Sequence, residues 1–193
     1  MKWKIVDNTL IIEGNFFALS SGVLGGWKRV EFLFNHTITT YVEDPIEYIK
    51  SLAKKFNMKN YFGLLTAVPM DKLAVVRVED VTTFVTAGVG NPNEKIGTIN
   101  IIIVVDGDMS DGAMVNSIIT ATEAKSVALL KSGLKFTGTS TDAIIVAKTG
   151  KGRYYEYAGY ASELGKKIWM AVKKAVIESL SKWNNEKKRK FKY

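Results

Sequence analysis

The chain has 193 residues, of which 47% are apolar and 24% charged, the composition of a soluble folded protein and not of a disordered one. It contains no cysteine and one histidine, His36. Disulfide scaffolds, thiolate metal sites and cysteine nucleophiles are therefore excluded, and any Ser-His-Asp arrangement would rest on that single residue. Ten of the 27 Lys/Arg and two of the 19 Asp/Glu fall after residue 165, leaving 17 against 17 before it, so the net charge of +8 belongs to the C-terminal end and the main body is neutral.

The opening Met1-Lys2-Trp3-Lys4 carries charges that interrupt a secretory leader, and no apolar run nears the roughly 18 residues of a membrane span, so a cytoplasmic protein is expected. Strands are predicted at Trp3–Asp7 and Leu10–Glu13 around an Asn8-Thr9 turn, then at Phe16–Leu19 and Val30–Phe34. Asp44-Pro45-Ile46-Glu47 reads as an N-cap, a proline at the first helical position and a capping-box acid, opening a helix to about Phe56. Further strands are expected at Tyr61–Val68, Leu73–Val78 and Val81–Ala87, and Ile99–Val105 has the unbroken apolar character of a strand buried on both faces. A long helix follows from about Ser110 to Ser132, closed by Gly133, and then a short strand at Ile144–Ala147. The last helix, Ser162 to roughly Trp183, repeats Leu164, Ile168, Ala171, Val172, Ala175, Val176 and Leu180 at helical spacing with lysines opposite.

With no internal repeat and no low-complexity linker, this pattern predicts one α/β or α+β domain over residues 1–183. It has a mixed β-sheet, a buried central helix, a C-terminal amphipathic helix and a basic tail from 184 to 193. The central helix is apolar on nearly all sides, yet Asn116, Thr120 and Glu123 share one narrow stripe. A carboxylate there must be solvated, hydrogen-bonded or paired. The stripe is either a polar network locking the helix to the sheet or the wall of a cavity in which burial suits Glu123 to acid or base work. Lys125 lies about 200° around the helix from Glu123 and is excluded as its partner.

Several other segments carry potential chemistry. Lys135-Phe136-Thr137-Gly138-Thr139-Ser140-Thr141-Asp142 can aim hydroxyls and backbone N–H groups at an anion or carbonyl oxygen, or form a turn that caps the next strand. Asp106 and Asp108 flank Gly107 at a strand end, where an oxygen-ligated Mg2+ has weak support against a capping role. Gly22-Val23-Leu24-Gly25-Gly26-Trp27-Lys28 departs from a phosphate loop, because Trp27 stands where glycine must precede the lysine, and reads instead as a hairpin that presents an aromatic. His36 is either a substrate-orienting group or a partly buried hydrogen-bonding residue. Tyr154, Tyr155, Tyr157 and Tyr160 form a cluster suited to a flat ligand or to closing the core.

Taken in order, Asn91-Pro92, Gly97-Thr98-Ile99-Asn100-Ile101-Ile102, Gly112-Ala113-Met114-Val115-Asn116, Thr120-Ala121-Thr122-Glu123-Ala124-Lys125, Gly138-Thr139-Ser140-Thr141-Asp142 and Ala158-Gly159-Tyr160-Ala161-Ser162-Glu163-Leu164-Gly165 resemble the adenosylcobinamide amidohydrolase family, as do Leu65-Thr66-Ala67-Val68 and Ala87-Gly88-Val89. The resemblance spans roughly residues 20–180. It implies cobamide salvage, as practised mainly in archaea: hydrolysis of the amide that joins aminopropanol to the corrin ring, releasing adenosylcobyric acid. A corrinoid small molecule is then the partner, and no cofactor is expected.

Under that resemblance Glu123, Asp142 and Glu163 become the candidate acids and bases. Asn91, Asn100, Asn116, Thr120, Thr139 and Thr141 become candidate substrate contacts, and Trp27, Tyr155 and Tyr157 packing surfaces for the corrinoid. The nucleophile, water or a Thr/Ser hydroxyl, stays open, as does the oligomeric state. One competing expectation is a corrinoid carrier that does not cleave its ligand. Another, disfavoured, is a nucleic-acid binder using Lys187-Lys188-Arg189-Lys190.

Overall fold

The structure, a computed structural model, describes the backbone of residues 1–91 and 96–190 and the side chains of residues 1–90 and 97–185. The expected contact at Asn91 and the four basic side chains of the tail fall outside those described. The chain forms β1 (Lys2–Val6), β2 (Thr9–Ser20), β3 (Gly26–Thr37), α1 (Pro45–Lys55), β4 (Tyr61–Thr66), β5 (Ala74–Val78), β6 (Val81–Asn91), β7 (Ile96–Val105), β8 (Asp108–Met109), α2 (Asp111–Lys131), β9 (Ala143–Lys148), β10 (Tyr154–Tyr155) and α3 (Glu163–Lys190). The main sheet has the order β4-β3-β2-β9-β7-β6-β5, with β1 paired to the first half of β2. β3/β4 and β7/β9 are parallel, and the other pairs in this sheet are antiparallel.

The apolar run in β7 is buried on both faces, as its composition predicts. Ile99, Ile101, Ile103 and Val105 pack under α2 and α3, while Ile102 and Val104 join Leu10, Phe16, Leu33, Phe62 and Phe84 in a second core made of strand residues from the opposite face. That second core exists because the sheet curls upon itself. Asn100 of β7 donates through Nδ2 to Asn35 Oδ1 of β3 at 2.9 Å and to the Leu65 carbonyl of β4 at 2.8 Å, although β9 and β2 lie between β7 and β3 in the strand order. A third, smaller cluster seats α1 on β3 through Phe34, Ile49 and Leu52. Asp44 caps α1 as predicted, accepting from Ile46 N and Glu47 N at 2.9 and 3.1 Å.

Two expectations need correction. The central helix α2 is buried on one side only: Ala113, Ser117, Ala121, Ala124 and Ala128 let it approach the sheet and α3 closely, while Val115, Ile119 and Leu130 face solvent. Three exposed aliphatics spread its apolar residues around the axis and imitate full burial. The final helix also runs seven residues beyond Trp183, to Lys190, because its lysine-rich end contains no helix breaker. Among the described residues no helix is long and apolar enough to cross a membrane.

His36 is a structural residue here. It is buried, with Nδ1 2.7 Å from Thr9 Oγ1 and Nε2 3.2 Å from Tyr48 OH, and burial, aided by the Lys55 charge, pushes its pKa down. A larger polar knot ties α3 to the β5–β6 turn. The buried Lys167 ammonium meets Glu79, Asp80 and Glu163 at 2.8, 3.0 and 3.1 Å and donates to Tyr155 OH at 2.9 Å. Tyr155 in turn donates to Asp80 at 2.5 Å. Burial favours the neutral acid at Asp80, but the hydrogen bonds from Tyr155 and Lys167 outweigh it and hold the pKa below the ordinary carboxylate range. A carboxyl depressed in this way adds stability that is complete above the unfolded value near 4 and is lost as pH falls through the folded one. Lys167→Met should therefore cost about 3 kcal/mol, read as a lower urea midpoint at unchanged slope, and should flatten the fall in stability below about pH 4.

Candidate active site

Two cavities of about 630 Å3 each are open on the molecule. One opens at the mouth of the curled sheet, where the β2–β3 hairpin (Ser21, Gly22, Val23), the loop after β3 (Ile38, Tyr41, Val42), β4 (Leu64, Leu65) and the starts of β7 and β9 (Gly97, Thr98, Thr141, Asp142, Ala143) converge. Gly22 allows the hairpin to close over this mouth, since a Cβ there would lie 2.5 Å from Leu64 Cδ2. Beneath Thr98 and Ala143 lies a polar layer. Asn35 Nδ2 donates to Thr86 Oγ1 at 2.9 Å, Asn100 joins Asn35 to Leu65, and Thr66 Oγ1 accepts from Val68 N. Asn100 is buried and both protons of its amide are used, but its Oδ1 has no hydrogen-bond partner among the described residues. The group Asn100 has to spare is thus an acceptor, its amide protons being committed to Asn35 and the Leu65 carbonyl.

Asp142 stands in the wall of the same cavity. Its Oδ2 accepts from Lys125 Nζ at 2.5 Å and from Thr139 N at 3.1 Å, while Oδ1 accepts from Thr139 Oγ1 at 2.6 Å and Ile99 N at 3.0 Å. The two side chains are 8% and 11% exposed, so the pair works at low effective dielectric, where each charge needs the other. Gly138 is required beside it: a Cβ would fall 2.5 Å from Lys125 Nζ and 2.6 Å from Asp142 Oδ2. Thr141 Oγ1 donates to the Gly97 carbonyl at 2.8 Å and Thr98 Oγ1 to the Thr141 carbonyl at 3.3 Å, lacing the loop to β7. Ser21 Oγ accepts from Ile144 N at 3.0 Å and reaches the Ile144 carbonyl only at 3.4 Å, which leaves its proton loosely held.

The remaining expected residues are not gathered here. Glu123 is exposed on the solvent-facing side of α2, so it is not the buried acid that the stripe suggested. Glu163 pairs with Arg153 at 2.5 Å and with Lys167, within the knot described above. Tyr155 is buried in that knot and is no platform. Trp27 stacks on Phe17 at 5.8 Å and is absent from the lining of the mouth. Thr120 is buried and donates to the Ala158 carbonyl at 2.8 Å, a structural bond. Asn116 and Tyr157 line the other 630 Å3 groove, between α2 and residues 156–162.

The two acids weighed for Mg2+ do not converge either. Asp108 pairs with Lys148 at 2.9 Å, a contact that lowers its pKa, and Asp106 accepts from Thr149. Among the described residues no three His, Asp or Glu side chains are grouped to hold a metal. Lys125, Ser21 and Tyr41 were missed from the sequence. Only Lys125 left a signal, since it stands four after Ala121 and three before Ala128 on the helix face that packs inward.

The architecture and the cavity define a single-domain mixed α/β protein that carries a buried ion pair and hydroxyls at the open end of a curled sheet. This chain belongs to the adenosylcobinamide amidohydrolase family, whose sequence profile matches residues 11–188. It is 44% identical over 195 aligned residues to the adenosylcobinamide amidohydrolase of Methanosarcina mazei, covering 93% of this chain and 98% of that one. It is 32% identical to an uncharacterized protein of Methanocaldococcus jannaschii, over 90% of this chain and 86% of that one. The adenosylcobinamide amidohydrolase of Halobacterium salinarum matches at 30% identity over 61% of this chain and 57% of that one.

Gly138→Ala should drive the Lys125–Asp142 pair apart and lower stability by about 1–3 kcal/mol through overpacking. A thermal melt checks this, and the same substitution at Gly133, where a Cβ meets nothing within 4 Å but φ is +83°, separates crowding from backbone strain.

Proposed function

We propose that this chain is an adenosylcobinamide amidohydrolase, cleaving the amide between aminopropanol and the corrin ring to give adenosylcobyric acid and 1-amino-2-propanol. The observation that carries this is the 44% identity across 93% of the chain to the Methanosarcina mazei protein of that name. We place the reaction at the mouth of the curled sheet because Asp142, in the wall of that cavity, already accepts from a cation, Lys125, and from a hydroxyl, Thr139, groups that amide hydrolysis can use in a protein without cysteine.

In this proposal Thr139 is the nucleophile. Its hydroxyl already donates to Asp142 Oδ1 at 2.6 Å, so the carboxylate receives the proton as oxygen attacks the amide carbon. Lys125, paired with Asp142, supplies positive charge toward the developing oxyanion. The proton taken up by Asp142 leaves with the amine of aminopropanol, and water then releases the corrinoid acid from Thr139. Asn100 Oδ1, an acceptor without a partner among the described residues, is suited to receive an N–H of the substrate or an O–H of an ordered water. Asn116, Thr120, Glu123, Glu163, Tyr155, Tyr157 and Trp27 have no part in this chemistry.

Incubating the purified protein with adenosylcobinamide and measuring free aminopropanol tests the activity. Asp142→Asn and Thr139→Val should each reduce the rate at least ~100-fold, while Thr139→Ser keeps a measurable fraction. Lys125→Met should lower kcat with little change in KM, the signature of an interaction made in the transition state. Full turnover by Thr139→Val would assign the attack to water directed by Asp142. A corrinoid carrier, in contrast, would release no aminopropanol in any variant.

A further inference from the structure

The cavity at the mouth is smaller than the molecule it is proposed to serve. About 630 Å3 suits a drug-sized ligand, whereas an adenosylated corrinoid with its several amide arms is much larger. Only an arm can enter, and the macrocycle has to rest outside.

The surface around the opening carries apolar groups for which the fold has no use. Tyr41 is 90% exposed, and Val23 and Leu24 stand exposed at the tip of the β2–β3 hairpin. Tyr41 and Val23 both line the cavity, together with Val42. They come from two segments, the hairpin tip and the loop after β3, that converge at this one place. None of the three belongs to a core cluster, and Leu24 holds a left-handed backbone, φ +55°, a conformation that a branched aliphatic adopts at a cost. An exposed apolar patch bordering a polar cavity is the mark of a ligand surface.

Resting on the reading of the site given above, we propose that the corrin ring lies against Tyr41, Val23 and Leu24 while its aminopropanol-bearing arm descends past Thr98 and Thr141 to Asp142. The tyrosine ring offers a flat face with only two side-chain torsions to immobilise. The aromatics expected for this task are elsewhere: Trp27 lies on Phe17, Tyr155 is buried, and Tyr157 lines the second groove, where no acid–base pair is found among the described residues. The platform also gives a reason for selectivity. Binding energy from the non-reacting ring positions the scissile amide, so small amides lacking the ring should be poor substrates.

Two measurements on the full chain test this: steady-state kinetics with adenosylcobinamide, and equilibrium dialysis with adenosylcobyric acid, which keeps the ring but lacks the aminopropanol. Tyr41→Ala should raise KM and weaken adenosylcobyric acid binding about tenfold each, with kcat within about twofold. Leu24→Ser should act in the same direction and Tyr41→Phe should restore wild-type values. Wild-type KM and affinity in Tyr41→Ala overturns the platform, as does a loss that follows Tyr157→Ala in its place. If wild-type protein binds adenosylcobyric acid through Tyr41 yet frees no aminopropanol, the hydrolytic reading fails and the platform stands.

Discussion

The two hydrogen bonds donated by the Asn100 side chain hold the molecule in its working shape. A mixed sheet with β4 at one edge and β5 at the other has no intrinsic reason to bring β3 and β4 against β7. The amide of Asn100, reaching Asn35 and the Leu65 carbonyl, fixes that approach, and the apolar second core behind it supplies the driving force. A polar group at such a seam is costly unless satisfied, and specificity is the compensation: the register in which the two halves meet is set by bonds of fixed length and direction, not by apolar contact alone. The cavity is the gap left above those bonds.

On this frame the ion pair of Lys125 and Asp142 performs a second task. It joins α2, the loop before β9 and the first residues of β7 by bonds to a single carboxylate. The helix meets this carboxylate through Lys125, while Ala113, Ser117, Ala121, Ala124 and Ala128 on its inward face let it press against the sheet and α3. The lysine is held away from water by Gly138 and by the loop that follows, so the pair sits where a charge interaction is strong and where either partner alone would be destabilising.

Most of the elements were legible in the sequence because their signals are local. The cap at Asp44, the unbroken run of β7, the glycine after α2 and the stripe of the last helix each declare themselves within a few residues. The site was less legible. Asp142 and Thr139 stood out through their own loop, but Lys125, the partner of Asp142, is 17 residues away in the chain, and helical spacing gives its inward face but not the residue it meets there. Glu123 misled because exposed aliphatics on α2 imitate a buried environment. Tyr41 and Ser21 left no periodic or motif signal, since their roles depend on how far the sheet curls, a property of the assembled tertiary structure.

The walls of the cavity come from chain positions as far apart as Ser21 and Ala143. The site is therefore built from contacts distant in the sequence, and a guest filling it bridges both flanks of the seam at once. Occupancy would then act as a removable staple, so that the empty protein is the looser of the two forms and the hairpin tip, Leu24 included, is where that looseness is released.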